Sequence, residues 1–269
     1  MLIAITDLKD PRLQDYVGLT DVVLRSKHEP DKGLYIAESS NVVATCIAAG
    51  HQPRSFLMAE RWLDSMAEIL EQFPDVPVFT APPGLLEELT GFNMHRGAMA
   101  AMHRPPLPAL RDLIAAKPGE QRRIAILDGM VNHTNIGAAF RGAAALGVDA
   151  ILVTSTSSDP LYRRSLRVSM GSAVQVPWTR VDNLLDALGA LREQGYVTAA
   201  LALEDDSITL DDFVAEAHPK TAVLFGSEGH GLPANAIAQA DRVVRIPMMA
   251  GVDSLNVAAT AAIVFYATR

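Results

Sequence analysis

A chain of 269 residues, 49% hydrophobic and 20% charged, is long enough for one large or two ordinary globular domains, each with a sizeable core. No apolar stretch approaches the roughly 18 residues of a membrane span, and the start lacks the basic and apolar regions of a secretory signal, so a cytoplasmic protein is expected. A net charge of −8 disfavours loose, non-specific nucleic-acid binding, and the single cysteine, Cys46, excludes an internal disulfide and a cysteine-based zinc site.

Residues 1–103 read as a small α/β unit. Leu13 to Arg25 has helical spacing, with Leu13, Val17 and Leu24 on one side. Leu34-Tyr35-Ile36-Ala37 is a strand, and Asn41 is placed to cap a helix over Val42 to Ala49 that Gly50 stops. Ser55 to Met58 and Pro77 to Thr80 are further strands, with helices at Arg61 to Glu71 and Pro83 to Leu89. This alternation predicts a small parallel sheet. Residues 104–121, with three early prolines and a later Pro-Gly around one brief helical patch, read as a linker.

The second unit spans 122–269 and opens with the buried strand Ile124 to Leu127. A helix rich in small residues follows and ends near Gly147; Asn135 is a candidate N-cap, and Arg141 lies six residues on, able to lean back toward it. The residues alone leave Arg141 open between a phosphate partner and a structural salt bridge. Strands are predicted at Ala150 to Val153, Ala173 to Val176 and Val197 to Leu201, with a helix over Leu184 to Gln194. Residues 111–180 carry 9 basic and 5 acidic side chains, a local +4, which allows one basic face on an acidic protein. Arg163, Arg164 and Arg167 on a short helix form either a phosphate-facing patch or a solvated face.

Thr221 to Asn256 organises the rest. Ala222 to Phe225 is a buried strand that ends at Gly226, and Val243 to Ile246 is another that ends against Pro247. Both run into loops rich in Gly and Pro, as happens where a parallel sheet meets a ligand at its carboxyl edge. Gly226-x-x-Gly229-x-Gly231 reverses the spacing of the dinucleotide fingerprint and puts Glu228 where a pyrophosphate would sit, which argues against a nicotinamide enzyme. The scattered histidines argue against a metal.

Three motifs together resemble the SpoU/TrmH family of RNA 2′-O-ribose methyltransferases, members of the SPOUT superfamily. They are Asn135-x-Gly137-x-x-x-Arg141, then Leu224-Phe225-Gly226-Ser227-Glu228-Gly229-x-Gly231, and finally Ile246-Pro247-Met248 with Ser254-Leu255-Asn256-Val257-Ala258. The first unit is similar to the L30e-like substrate-binding domain that many members carry, through Gly33 to Glu38 and His95-Arg96-Gly97. Ser39 departs from the Gly usual there. The resemblance implies a C-terminal parallel sheet with a deep trefoil knot, S-adenosylmethionine bound in the knot, and a homodimer that completes the site.

By the same resemblance, the main chain at Gly226, Ile246 and Leu255 holds the cofactor, Leu224, Met248 and Leu255 cover its adenine, and Gly229 is a further cofactor-binding residue. Arg141 is the expected catalytic residue, clamping phosphate rather than taking a proton, because arginine stays protonated. Asn135 positions substrate or arginine, unless it only caps its helix. Glu228 orients Asn135 or contacts ribose. Ser254 and Asn256 line the site, with one of them capping the last helix. A structured RNA follows as substrate, 23S rRNA first; a tRNA methyltransferase and an inert RNA-binding assembly protein are the alternatives.

Overall fold

The computed structural model describes residues 1–91, 97–117, 119–249 and 251–269. The side chains of Leu24, Lys27 and His28 lie outside that description, as do His95 and Arg96, so the readings placed on Leu24, His95 and Arg96 go untested. The described chain forms two units, 1–106 with 161–174, and 107–160 with 175–269.

In the first unit, strands β1 (Leu2–Ala4), β2 (Leu34–Glu38), β3 (Pro53–Met58), β4 (Val78–Thr80) and β5 (Met99–His103) lie in the order β1-β4-β3-β5-β2. The expected parallel sheet is mixed: β5 runs antiparallel to both β2 and β3. A short buried run such as Met99-Ala100-Ala101-Met102 has no direction of its own; pairing supplies it. The expected helix over 13–25 is split. Asp10 caps a 3-10 turn at Pro11–Tyr16, Gly18 turns the chain at φ 66°, and helix α1 begins at Val22 and runs to Asp31. Tyr16 ties this segment to the sheet, donating its hydroxyl to the Ser55 carbonyl (2.9 Å) and accepting from the Ala101 amide (3.0 Å).

Helix α2 (Ser40–Ala48) is capped by Ser39 rather than Asn41: the Ser39 hydroxyl accepts from the Val42 amide. Ser39 sits at φ 88°, ψ 147°, a conformation that favours glycine, the residue that the family resemblance leads one to expect there. Helices α3 (Leu63–Leu70) and α4 (Pro83–Thr90) complete the elements before β5. The segment 161–174 contributes the short helix α7 (Arg163–Val168), on which Arg163 and Arg167 both pair with Glu38 at the end of β2. Two of the three arginines read as either a phosphate patch or a solvated face are therefore committed to a carboxylate, and Arg164 alone of the three is exposed without one.

The second unit holds, among the described residues, seven strands in the order β10-β12-β9-β11-β6-β7-β8, every pairing parallel. They are β6 (Arg122–Leu127), β7 (Ala150–Thr154), β8 (Trp178–Val181), β9 (Val197–Leu201), β10 (Ile208–Thr209), β11 (Lys220–Phe225) and β12 (Arg242–Arg245). The strand expected at 173–176 is instead a 3-10 turn, and the strand begins beyond Pro177. The linker's helical patch is α5 (Leu110–Ile114), whose Leu113 and Ile114 enter the core beside α8 (Leu184–Glu193) and α10 (Ala234–Gln239); the short α9 (Leu210–Ala215) follows β10. Alternate strand residues, including Ile124, Ile126, Leu152, Ala222 and Leu224, belong to that core.

Successive strand residues face opposite sides, so Phe225 points the other way, onto α11 (Val257–Ala267), where its ring meets Phe265 edge-on at 5.5 Å. Helix α11 packs beside α6 (His133–Ala145). Arg123 joins the far ends of these two helices: its guanidinium donates to the carbonyls of Leu146 (2.6 Å), Gly147 (2.8 Å) and Phe265 (2.9 Å). Helix C-termini leave such carbonyls without intrahelical partners, and a cation there also suits the helix dipole. Arg123→Ala is expected to lower unfolding free energy by about 2 kcal/mol, read from urea denaturation, with Arg123→Lys recovering less than half of the loss.

Candidate active site

Three loops leave the carboxyl edge of the sheet close together. One joins β6 to α6, the second follows β11, and the third runs from β12 to α11. The loop after β11 is a tight reversal in which Ser227 and Gly231 exchange both backbone hydrogen bonds at 3.0 Å. Gly226 is required there: a Cβ at this position would lie 2.2 to 2.5 Å from backbone atoms of Gly231 and Leu232. Any side chain would force the backbone apart.

Helix α6 starts one turn earlier than expected. Its N-cap is Asn132, whose side chain accepts from the Thr134 amide at 2.8 Å, while Asn135 falls inside the first turn and is 6% exposed. Asn135 is therefore not the cap, and its carboxamide is used elsewhere. Its Nδ2 donates to Glu228 Oε1 at 2.9 Å, and its Oδ1 accepts from Asn256 Nδ2 at 3.1 Å. Asn256 is the N-cap of α11, its Oδ1 accepting from the Ala258 amide at 2.9 Å. The Asn132 amide adds a second donor to Glu228 Oε1 at 3.3 Å.

This chain has one consistent direction. The cap occupies the oxygen of Asn256, so only its nitrogen can face Asn135; that leaves the nitrogen of Asn135 for a carboxylate that can only accept. Burial raises the pKa of Glu228, but hydrogen bonds from the Asn135 side chain and from the backbone of Glu228, Asn132 and Val131 outweigh it. The net effect holds the carboxyl below its ordinary range.

Beside this chain lies a cleft of about 520 Å³, within the range of small-ligand and cofactor sites. Among the residues singled out from sequence, Gly226, Glu228, Gly229, Ile246, Met248, Ser254, Leu255 and Asn256 line it. Asn135 adjoins it through Glu228 and Asn256. Leu224 does not line it: it is fully buried in the core on the opposite face of the sheet, and its neighbour Phe225 takes the place in the wall. Arg141 is exposed on α6, does not line the cleft, and has no hydrogen bond or ion pair among the described residues. Sequence reasoning missed Asn132, whose Asn-x-x-Asn spacing to Asn135 was the available signal, and Leu201, Arg245, Asp253 and Thr260 in the lining. Arg245 is held by the carbonyl and hydroxyl of Ser207.

A model of the SpoU rRNA Methylase family matches residues 122–266, which include all three loops. The chain is also 37% identical over 265 residues to a Mycobacterium bovis protein described as an uncharacterized tRNA/rRNA methyltransferase, covering 97% of this chain and 90% of that one. The chain belongs to the SpoU rRNA methylase family. It is an RNA methyltransferase. A further relative is the 23S rRNA (guanosine-2′-O-)-methyltransferase RlmB of Acinetobacter baylyi, 29% identical over 76% of this chain and 82% of that protein. The fold is similar to that of an AdoMet-bound rRNA methyltransferase from Sinorhizobium meliloti, with a TM-score of 0.85 and 22% identity over 100% of this chain and 97% of that one.

The asparagine–asparagine–glutamate chain of this SpoU methyltransferase makes two measurable statements. A double-mutant cycle of Asn135→Ala and Asn256→Ala should be non-additive by about 1 kcal/mol, because the two side chains share one hydrogen bond. Glu228 has a depressed folded-state pKa, so its contribution to stability is complete above its unfolded value and is lost as pH falls through the lower folded value. The stability difference between the native chain and Glu228→Gln should be constant above about pH 5 and shrink below about pH 4, measured by urea denaturation across pH.

Proposed function

We propose that the chain transfers a methyl group from S-adenosylmethionine to a ribose 2′-hydroxyl of a structured RNA, with 23S rRNA the first substrate to test. The observation that carries this reading is the hydrogen-bonded joining of Glu228, Asn135 and Asn256 beside the cleft. The residues fit the cofactor. The cleft offers loop backbone at Gly226, Ile246 and Leu255 for an adenine edge and ribose, and apolar cover from Met248 and Leu255. Gly226 must lack a side chain to let the backbone close up. S-adenosylmethionine, when bound, supplies an electrophilic methyl on sulfonium. The RlmB relative supports ribosomal RNA and the Mycobacterium bovis relative keeps transfer RNA in view.

The protein's part in the reaction is placement. The 2′-oxygen must lie in line with the S–CH3 bond, and holding it there supplies much of the rate. Arg141 is a permanent cation on an exposed part of α6, with no carboxylate of the described chain against it. It is suited to grip the phosphate next to the reacting ribose in a bidentate contact and to offset negative charge growing on the 2′-oxygen. It cannot take the proton, which passes to solvent or phosphate. Glu228, Asn135 and Asn256 hold the loops in register around that event, with Ser254 at the cleft wall.

The reading extends to the fold and assembly of the family: a trefoil knot through the loops after β11 and β12, an L30e-like first unit that binds RNA, and a homodimer. Helix α11 supports the last of these. It contains one polar residue, Thr260, yet buries only Ala261, Val264 and Phe265, leaving Ile263 39% and Tyr266 56% exposed. A helix that is apolar on nearly every side, with one face in water, is expected to have a partner. Ile263→Glu should convert a dimer to a monomer in light scattering.

The deciding assay is methyl transfer from labelled S-adenosylmethionine to separated rRNA and tRNA, followed by nucleoside analysis. A 2′-O-methylated nucleoside from rRNA, lost with Arg141→Ala, is expected. Arg141→Lys should lose about a hundredfold in kcat, as a point charge replaces a bidentate clamp. Product from tRNA alone would move the substrate; cofactor binding and transfer both absent would leave an RNA-binding assembly protein.

A further inference from the structure

The loop between β6 and α6 carries backbone groups that neither the strand nor the helix satisfies. Gly129 turns at φ 61°, and α6 begins only at His133. Three hydroxyls, one from the last residue of β7 and two from the segment after it, take up these groups one by one. Thr154 Oγ1 accepts from the Gly129 amide at 3.1 Å. Ser157 Oγ accepts from the Met130 amide at 3.0 Å and donates to the Leu127 carbonyl at 3.0 Å. Ser158 Oγ donates to the Val131 carbonyl at 2.5 Å, and the Ser158 amide to the Met130 carbonyl at 2.9 Å.

Thr154 and Ser157 are 4% and 6% exposed, so water is not at hand to replace them. The hydroxyl segment is itself fixed from below: Arg180 Nη1 donates to the Thr154 and Ser157 carbonyls, each at 3.1 Å. The residues that follow the supported loop are Asn132 and Asn135, whose amide and carboxamide both reach Glu228 Oε1. A shift of the loop therefore moves both donors on Glu228 and, through Asn135, the contact to Asn256.

We propose that Thr154, Ser157 and Ser158 are positioning residues of this methyltransferase: their hydroxyls set the path of residues 127–131 and thereby place Asn132 and Asn135 on Glu228. The effect on transfer rests on the function proposed above; the effect on the loop does not. These hydroxyls lie outside the cleft lining, so they act on the geometry of the reacting groups rather than on cofactor affinity.

Thr154→Val keeps the shape and removes the hydroxyl, Thr154→Ser keeps the hydroxyl, and Ser157→Ala is an independent second deletion. The full chain would be compared in three measurements: kcat and KM for methyl transfer to RNA, S-adenosylmethionine affinity by calorimetry, and amide hydrogen exchange over 128–135. Thr154→Val and Ser157→Ala should each lower kcat about tenfold while cofactor Kd moves less than about twofold, since misplacement of reacting groups penalises the chemical step. Exchange over 128–135 should quicken in both, and Thr154→Ser should restore rate and protection. Unchanged exchange in that segment, unchanged kcat, a parallel fall in cofactor affinity, or a Thr154→Ser variant no better than Thr154→Val would overturn the proposal. Should the native chain transfer no methyl to any RNA, the functional reading fails, and the exchange measurement alone decides whether the hydroxyls position the loop.

Discussion

Two carboxamides and a carboxylate hold the working edge of the second unit together. Asn256 and Asn135 are 121 residues apart in the chain, and Asn135 and Glu228 are 93 apart. Each of the three belongs to a different loop or helix start, and none of the loops is regular. Each loop has its own internal support, and these hydrogen bonds are what join one loop to the next. Joined, they form one wall beside the cleft. A buried polar group is costly when unpaired and directional when paired, and Asn135, the buried member of the three, meets that need with Glu228 on one side and Asn256 on the other.

The same two helices are pinned at both ends. At their beginnings, Asn135 in the first turn of α6 meets Asn256, the cap of α11. At their ends, Arg123 gathers carbonyls from the turn after α6 and from Phe265 of α11. Between these pins the packing is apolar, with Phe265 against Phe225 of β11. The sheet supplies the registration: Leu224 faces the core formed with α5, α8 and α10, whereas Phe225, one residue on, faces α11 and the cleft. One step along a strand separates a core residue from a site residue.

Charge is allocated in a way that composition conceals. The segment 111–180 is locally basic, but Arg122, Arg123 and Arg180 donate to backbone carbonyls, and Arg163 and Arg167 pair with Glu38. Among the described residues, Arg111, Arg141 and Arg164 are the arginines of that segment with no hydrogen bond or ion pair. Most of the apparent basic face is structural. What is left for a phosphate is a few positions on an acidic protein, an arrangement that favours a shaped RNA over non-specific binding.

From the sequence alone, the family, the alternation of strands and helices and the two loops that supply much of the cleft lining were legible, because each is encoded locally. Gly226 marks the end of a strand, Ser254-Leu255-Asn256 begins a helix with a capping residue, and buried runs such as 222–225 announce strands. The direction of β5, the break of the first helix at Gly18, the cap at Asn132 in place of Asn135, and the inward turn of Leu224 were decided only by tertiary structure. Strand direction, cap choice and side-chain facing depend on partners distant in the chain, and a local pattern carries no record of them. The pairing of Arg163 and Arg167 with Glu38 is of the same kind: a sequence shows that a charge is present, and the fold determines what it is spent on.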